Sequence, residues 1–131
     1  YLVGDNTALP AIASLLETMP EQSAGHVFIL LNEESGKLEL TKPENVQIHW
    51  FIGESEFQTE RLIAEFKKHT LPKDDVYFWL AGENNLVVKL RNYLRKECDY
   101  SKEYLYAVPY WRKGSNEEQY HRQRHVVMDE E

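Results

Sequence analysis

Two short runs, His26-Val27-Phe28-Ile29-Leu30-Leu31 and Val76-Tyr77-Phe78-Trp79-Leu80-Ala81, are apolar at almost every position. A strand wetted on one face alternates apolar and polar residues. A run apolar at both parities is covered on both faces, the situation of a parallel sheet between helices. The segments around these runs fit that arrangement. Leu2-Val3-Gly4 reads as the end of a first strand, and Ile12, Leu15, Leu16 and Met19 then recur at helical spacing. Thr7 is the expected N-cap, Pro10 falls in the first turn, and Pro20 stops the helix.

After the first apolar run, residues 32–45 carry no helical stripe and read as a loop with a short extended piece. Val46, Ile48, Trp50 and Ile52 mark a third strand. A helix from Glu56 to His69 turns Leu62, Ile63 and Phe66 inward, and the second apolar run is the fourth strand. Leu86, Leu90, Tyr93 and Leu94 define another helix, and Leu105 to Val108 a fifth strand that Pro109 ends. The expected fold is a three-layer α/β domain, a five-stranded parallel sheet flanked by helices, over residues 1–109. Residues 110–131 form a second part, a turn-forming motif followed by a helical tail capped by Ser115 and Glu118.

With 131 residues the chain has room for one core, and its first residues already read as the interior of a strand, so an upstream segment is expected. A net charge of −7 argues against nucleic-acid binding, and no apolar run has the length for membrane insertion. The single cysteine, Cys98, excludes an internal disulfide and fits the cytoplasm.

In open parallel sheets, ligands bind beyond the carboxyl ends of the strands, where strand order reverses. Strands one and four usually flank that crevice, which draws attention to Gly4-Asp5-Asn6-Thr7 and Gly82-Glu83-Asn84-Asn85. Both lead into a helix whose first N–H groups are open to an anion. Neither is G-x-G-x-x-G, and turn geometry alone also favours these residues, so each segment is a nucleotide-site candidate and no more.

Gly4-Asp5-Asn6-Thr7-Ala8-Leu9-Pro10-Ala11-Ile12 resembles the G-D-x-T-A-L-P-A-I motif of the siderophore-interacting proteins, flavin-dependent ferric-siderophore reductases of the ferredoxin-reductase-like superfamily. Trp79-Leu80-Ala81-Gly82-Glu83 resembles their W-x-A-G-E motif. Tyr110-Trp111-Arg112-Lys113-Gly114, followed by Glu117-Glu118-x-Tyr120-His121, resembles Y-W-R-x-G and E-E-x-Y-H. The resemblance implies the C-terminal NADP-linked domain of a two-domain enzyme whose N-terminal barrel carries most FAD contacts. Electrons would come from NADPH, NADH or a ferredoxin and reduce Fe(III) in a ferric siderophore to Fe(II). The flavin would carry the redox chemistry, so no catalytic side chain is assigned, and this domain alone is expected to be inactive.

On that resemblance Gly4, Asp5, Asn6, Thr7 and Ala8 would line the floor where nicotinamide and flavin meet, with Gly82 and Glu83 opposite. Ala81 stands where related reductases have a cysteine. Tyr110 or Trp111 would stack on the isoalloxazine, and both are as readily packing residues. Arg112 and Lys113 would attract an anionic siderophore, Arg112 the more so. Arg122 and Arg124 read mainly as a solvated face, and Lys89, Arg91, Arg95 and Lys96 as the outer face of a helix. Gly53-Glu54-Ser55-Glu56 offers Ser55 but no arginine for a 2′-phosphate, which leaves the donor open.

No metal site is expected: Glu117, His121 and His125 share a helix face without a supporting element, and His26, His49 and His69 look scattered. A general flavin or ferredoxin-type reductase, and a siderophore- or nucleotide-binding module without turnover, are the competing readings. Activity on small acceptors would mark the first, a colourless and inactive full-length protein the second.

Overall fold

The computed structural model describes residues 1–53 and 56–114. Five strands form one parallel sheet: β1 (Leu2–Asp5), β2 (Ala24–Leu31), β3 (Asn45–Ile52), β4 (Phe78–Glu83) and β5 (Leu105–Trp111). Their spatial order is β3-β2-β1-β4-β5, and every neighbouring pair runs parallel. The expected five-stranded α/β sheet is what the chain forms. Three helices connect strands: α1 (Leu9–Thr18), α2 (Glu56–Lys67) and α3 (Asn84–Asn92).

Right-handed crossover chirality dictates which face each helix covers. The step from β1 to β2 moves one way across the sheet and carries α1 to one face. The steps from β3 to β4 and from β4 to β5 move the other way, so α2 and α3 share the opposite face. The core divides accordingly. Val3, Phe28, Phe51 and Leu80 pack with Leu62, Phe66, Leu86 and Leu90 on the α2–α3 side. Val27, Ile29, Val46 and Ala81 pack with Leu9, Ile12 and Leu16 on the α1 side. The link from β2 to β3 has only a 3-10 turn at Glu34–Gly36, as the missing stripe predicts, and its Leu40 packs on the α1 side.

Several boundaries differ from expectation. Pro109 does not end β5. It pairs with Gly82 and the strand runs on through Tyr110 to Trp111, because β5 lies at the sheet edge where a missing N–H is tolerated. The motif residues Tyr110 and Trp111 are therefore strand, not turn. β4 starts two residues later and ends two later than its apolar run, since Glu83 is held by a side chain of β1 described below. Thr7 does not cap α1. The N-cap is Ala8 without a side-chain bond, and the Thr7 hydroxyl turns to Asp5 instead. The last helix is shorter than its stripe, ending at Asn92 and continuing as a π-type turn over Tyr93–Glu97. The expected tail helix, with the Ser115–Glu118 cap, Arg122, Arg124 and the Glu117–His121–His125 face, lies outside the described residues, as does Ser55.

Helix α1 sits very close to β1. A Cβ on Gly4 would lie 2.7 Å from Ala8 Cβ and 2.8 Å from Ile12 Cδ1. Gly4→Ala should therefore lower stability by about 1–3 kcal/mol through overpacking, measured by chemical denaturation. An unchanged midpoint would mean that α1 can shift without loss.

Candidate functional site

Strand order reverses between β1 and β4, since β1 leads outward to β2 and β4 leads the other way to β5. At the carboxyl ends of these strands lies a crevice of about 360 Å³, toward the small end of the roughly 300–1,000 Å³ usual for small-molecule sites. Asp5 and Asn6 enter it from β1, Leu30 and Asn32 from β2, Gly53 from β3, Glu83 from β4 and Trp111 and Lys113 from β5. Glu56, Thr59 and Glu60 of α2 and Asn85 and Lys89 of α3 complete its walls.

Asp5 organises the crevice from beneath. It is 3% exposed, and its carboxylate accepts four hydrogen bonds. Oδ1 takes the Thr7 N–H at 3.0 Å and the Thr7 hydroxyl. Oδ2 takes the Glu83 N–H at 2.8 Å and the Trp111 indole N–H at 2.9 Å. A buried carboxylate is tolerated only when so satisfied. Gly82 is required below it, because a Cβ there would sit 2.7 Å from Asp5 Cγ and its φ of +134° is rarely adopted by side-chain-bearing residues.

The residues picked out in the sequence divide into three groups. Asp5, Asn6, Glu83, Trp111 and Lys113 line the crevice. Gly4, Ala8 and Gly82 are buried under it and serve close packing, while exposed Thr7 braces Asp5 from the rim. Tyr110 and Arg112 do not line it. Tyr110 packs toward α1 with Trp79, and burial, then the neighbouring Tyr106 and the charge of Asp5, raises its phenol above the ordinary value. Arg112 is exposed on the surface. Of the two aromatics, Trp111 faces the crevice.

Sequence reasoning missed Asn32 and Glu60, and dismissed Lys89. The basic cluster on α3 is not a uniform outer face. Lys89 forms the crevice wall and pairs with Glu60 at 2.5 Å, while Arg91 is buried. The signal that could have found Asn32 is the parallel sheet itself, in which every strand's carboxyl end points to the same edge.

Four acids, Asp5, Glu56, Glu60 and Glu83, face two lysines, Lys89 and Lys113. The open N–H groups of α3 are also partly taken, since Glu83 caps the helix by accepting the Asn85 N–H at 2.8 Å. A pyrophosphate fits poorly in such a site. Leu30 and an indole held in place by its N–H are apolar surfaces of the lining.

Fold and crevice together define a sheet domain of the ligand-binding α/β class, with its site at a topological switch point. Residues 1–114 match the family model described as "Siderophore-interacting protein", and the chain belongs to that family. It is 37% identical over 132 residues to the ferric vibriobactin reductase ViuB of Vibrio cholerae, covering 99% of this chain and 49% of that protein. It is 26% identical over 113 residues to the ferric acinetobactin reductase of Acinetobacter baumannii, covering 86% and 40%. The solved siderophore-interacting protein SipS of Aeromonas hydrophila superimposes with a TM-score of 0.93 at 42% identity, over 98% of this chain and 52% of that one. The chain thus spans about half the length of the reductases it matches. No helix among the described residues is long and apolar enough to cross a membrane.

The Asp5–Trp111 bond predicts a graded response. Trp111→Phe keeps an aromatic ring but loses the N–H, and should cost about 1–2 kcal/mol. Asp5→Asn keeps one acceptor oxygen but turns an NH2 group toward the two donors of the other, Glu83 N–H and the Trp111 indole if Oδ2 is replaced, and should cost about 2–4 kcal/mol. In the double variant the costs should not add, as urea unfolding of the purified proteins will measure.

Proposed function

We propose that this chain is the nicotinamide-side domain of a flavin-dependent ferric-siderophore reductase, acting with a barrel domain that supplies most FAD contacts. Trp111 carries the reading: its ring stands at the switch-point crevice, fixed through the indole N–H to a buried carboxylate, in a chain matching the family over residues 1–114. The relatives named ferric vibriobactin and ferric acinetobactin reductase support the substrate class.

Bound flavin would supply the change from a two-electron donor to the one-electron reduction of Fe(III). Reduction to Fe(II) weakens the hard-oxygen complex and frees the iron. This chain's residues bind and orient. Leu30 and Trp111 offer the surfaces against which a planar ring can stack, and Asn6 and Asn32 offer polar groups at its edge. Asp5 holds Trp111 and the Glu83 backbone in place, and no proton transfer is assigned to it. Ala81 in place of a cysteine leaves no thiol there to assist transfer. Lys113 on the crevice wall, with exposed Arg112 beside it, would draw an anionic siderophore toward the rim.

The acidic lining disfavours a tightly held pyrophosphate, so NADH, NADPH or a reduced ferredoxin would meet the site with its affinity set mostly elsewhere. Cytoplasmic location follows from the reductant such a reaction requires.

The test is anaerobic reduction of ferric siderophore by the full-length protein with added FAD and each donor. Trp111→Ala should lower kcat/KM by about tenfold or more, the scale of a lost positioning contact. Lys113→Glu should raise KM for an anionic ferric siderophore and leave reduction of a neutral acceptor nearly unchanged. Residues 1–131 alone should release no Fe(II). Equal activity of Trp111→Ala and the parent, or turnover by the chain alone, would contradict the reading.

A further inference from the structure

His26, His49 and His69 are not scattered: the fold brings all three together away from the crevice. In β2, His26 lies four residues before the crevice residue Leu30, about 13 Å along an extended strand. The parallel register places His49 opposite Phe28, diagonal to His26 on the face covered by α2. His69 closes the last turn of α2, its N–H donating to Phe66 O at 3.2 Å, and turns its ring onto the pair. Ring centroids are 4.3 Å apart for His26 and His69 and 5.2 Å for His26 and His49. His26 Nδ1 and His49 Nε2 are 3.0 Å apart and share one proton. One ring nitrogen from each of the three residues lies within 4.8 Å of the others, and all three residues are half-buried. Phe28 lies against all three rings from the core, and Tyr1 against those of His26 and His69.

We propose that these three imidazoles form a binding site for a divalent transition-metal ion of the Zn²⁺ type, clamping β2 and β3 to the end of α2. Imidazole nitrogens suit zinc and neighbouring first-row ions. Tetrahedral Zn–N bonds of about 2.0–2.1 Å need ligand nitrogens about 3.3 Å apart. The His26–His49 pair opens by a few tenths of an ångström to meet this. His69 follows the end of its helix and closes the remaining gap. The shared proton moves to the outer nitrogen of its own ring, so both imidazoles stay neutral and both lone pairs reach the ion.

Glu65, one turn before His69, is close enough to influence both His49 and His69 and is paired with Lys68 at 2.9 Å. The clustered ligand atoms are those of the three histidines, so a fourth position would be left to water. The site is remote from the ring-binding crevice, so the ion would act as a clip between elements and not in electron transfer.

The test uses the full-length protein stripped by chelator and dialysed, then titrated calorimetrically with Zn²⁺ and followed spectroscopically with Co²⁺. One equivalent of Zn²⁺ should bind and raise Tm, and Co²⁺ should give the intense visible bands of a four-coordinate site. His49→Ala and His69→Gln should each weaken that equivalent by at least about tenfold, the loss that even an outer-shell change brings. His69→Gln lies at a helix end and should unfold near the parent temperature in chelator, so its loss of binding reports on the ligand. No bound equivalent in the parent, or Zn²⁺ bound equally by parent and His69→Gln, would overturn the site.

Discussion

A carboxylate with almost no exposure sits at the point where the sheet changes direction, and much of the site geometry follows from satisfying it. Asp5 ends the central strand, where it must find donors or be expelled toward water. It finds them on its own loop, on the neighbouring β4 and on the edge strand β5. Those bonds draw β4 past its apolar run to Glu83 and β5 past Pro109 to Trp111. They also require a glycine at position 82, because no side chain fits between that backbone and the carboxylate. One charge thus ties three strands together at their functional edge and aims an indole into the crevice.

This arrangement separates two roles that motif reading merges. Gly4, Ala8 and Gly82 stand within stretches that match the family, yet they are buried and serve close packing. Asn6, Asn32, Trp111 and Lys113 are the groups a ligand can touch. The loop after β1 is a brace around Asp5 more than a phosphate cradle, and the acids around it reinforce that character.

The parallel sheet was legible because its central strands are apolar at both parities, and the interior stripe of α1 because Ile12 and Leu16 keep helical spacing. The bare link between β2 and β3 was legible for the opposite reason, the absence of a stripe. Where the reading failed, long-range contacts overrode local pattern. Pro109 is a strand breaker by local rules, but an edge position and the pull of Asp5 on Trp111 extend β5 across it. Lys89 looks solubilising until α2 places Glu60 opposite. His26, His49 and His69 are separated by more than twenty or by twenty residues, and only the register of β2 on β3 and the packing of α2 unite them.

The proposed reductase role requires the crevice beside Asp5 and Trp111 to receive the nicotinamide ring. Its most direct test is amide and indole chemical-shift mapping of isotopically labelled protein during titration with nicotinamide mononucleotide. Shifts concentrated at Asn6, Asn32, Glu83 and the Trp111 indole N–H, with residues near His49 unmoved, are expected. Shifts that leave the Trp111 indole unchanged, or that centre on another edge of the sheet, would contradict it.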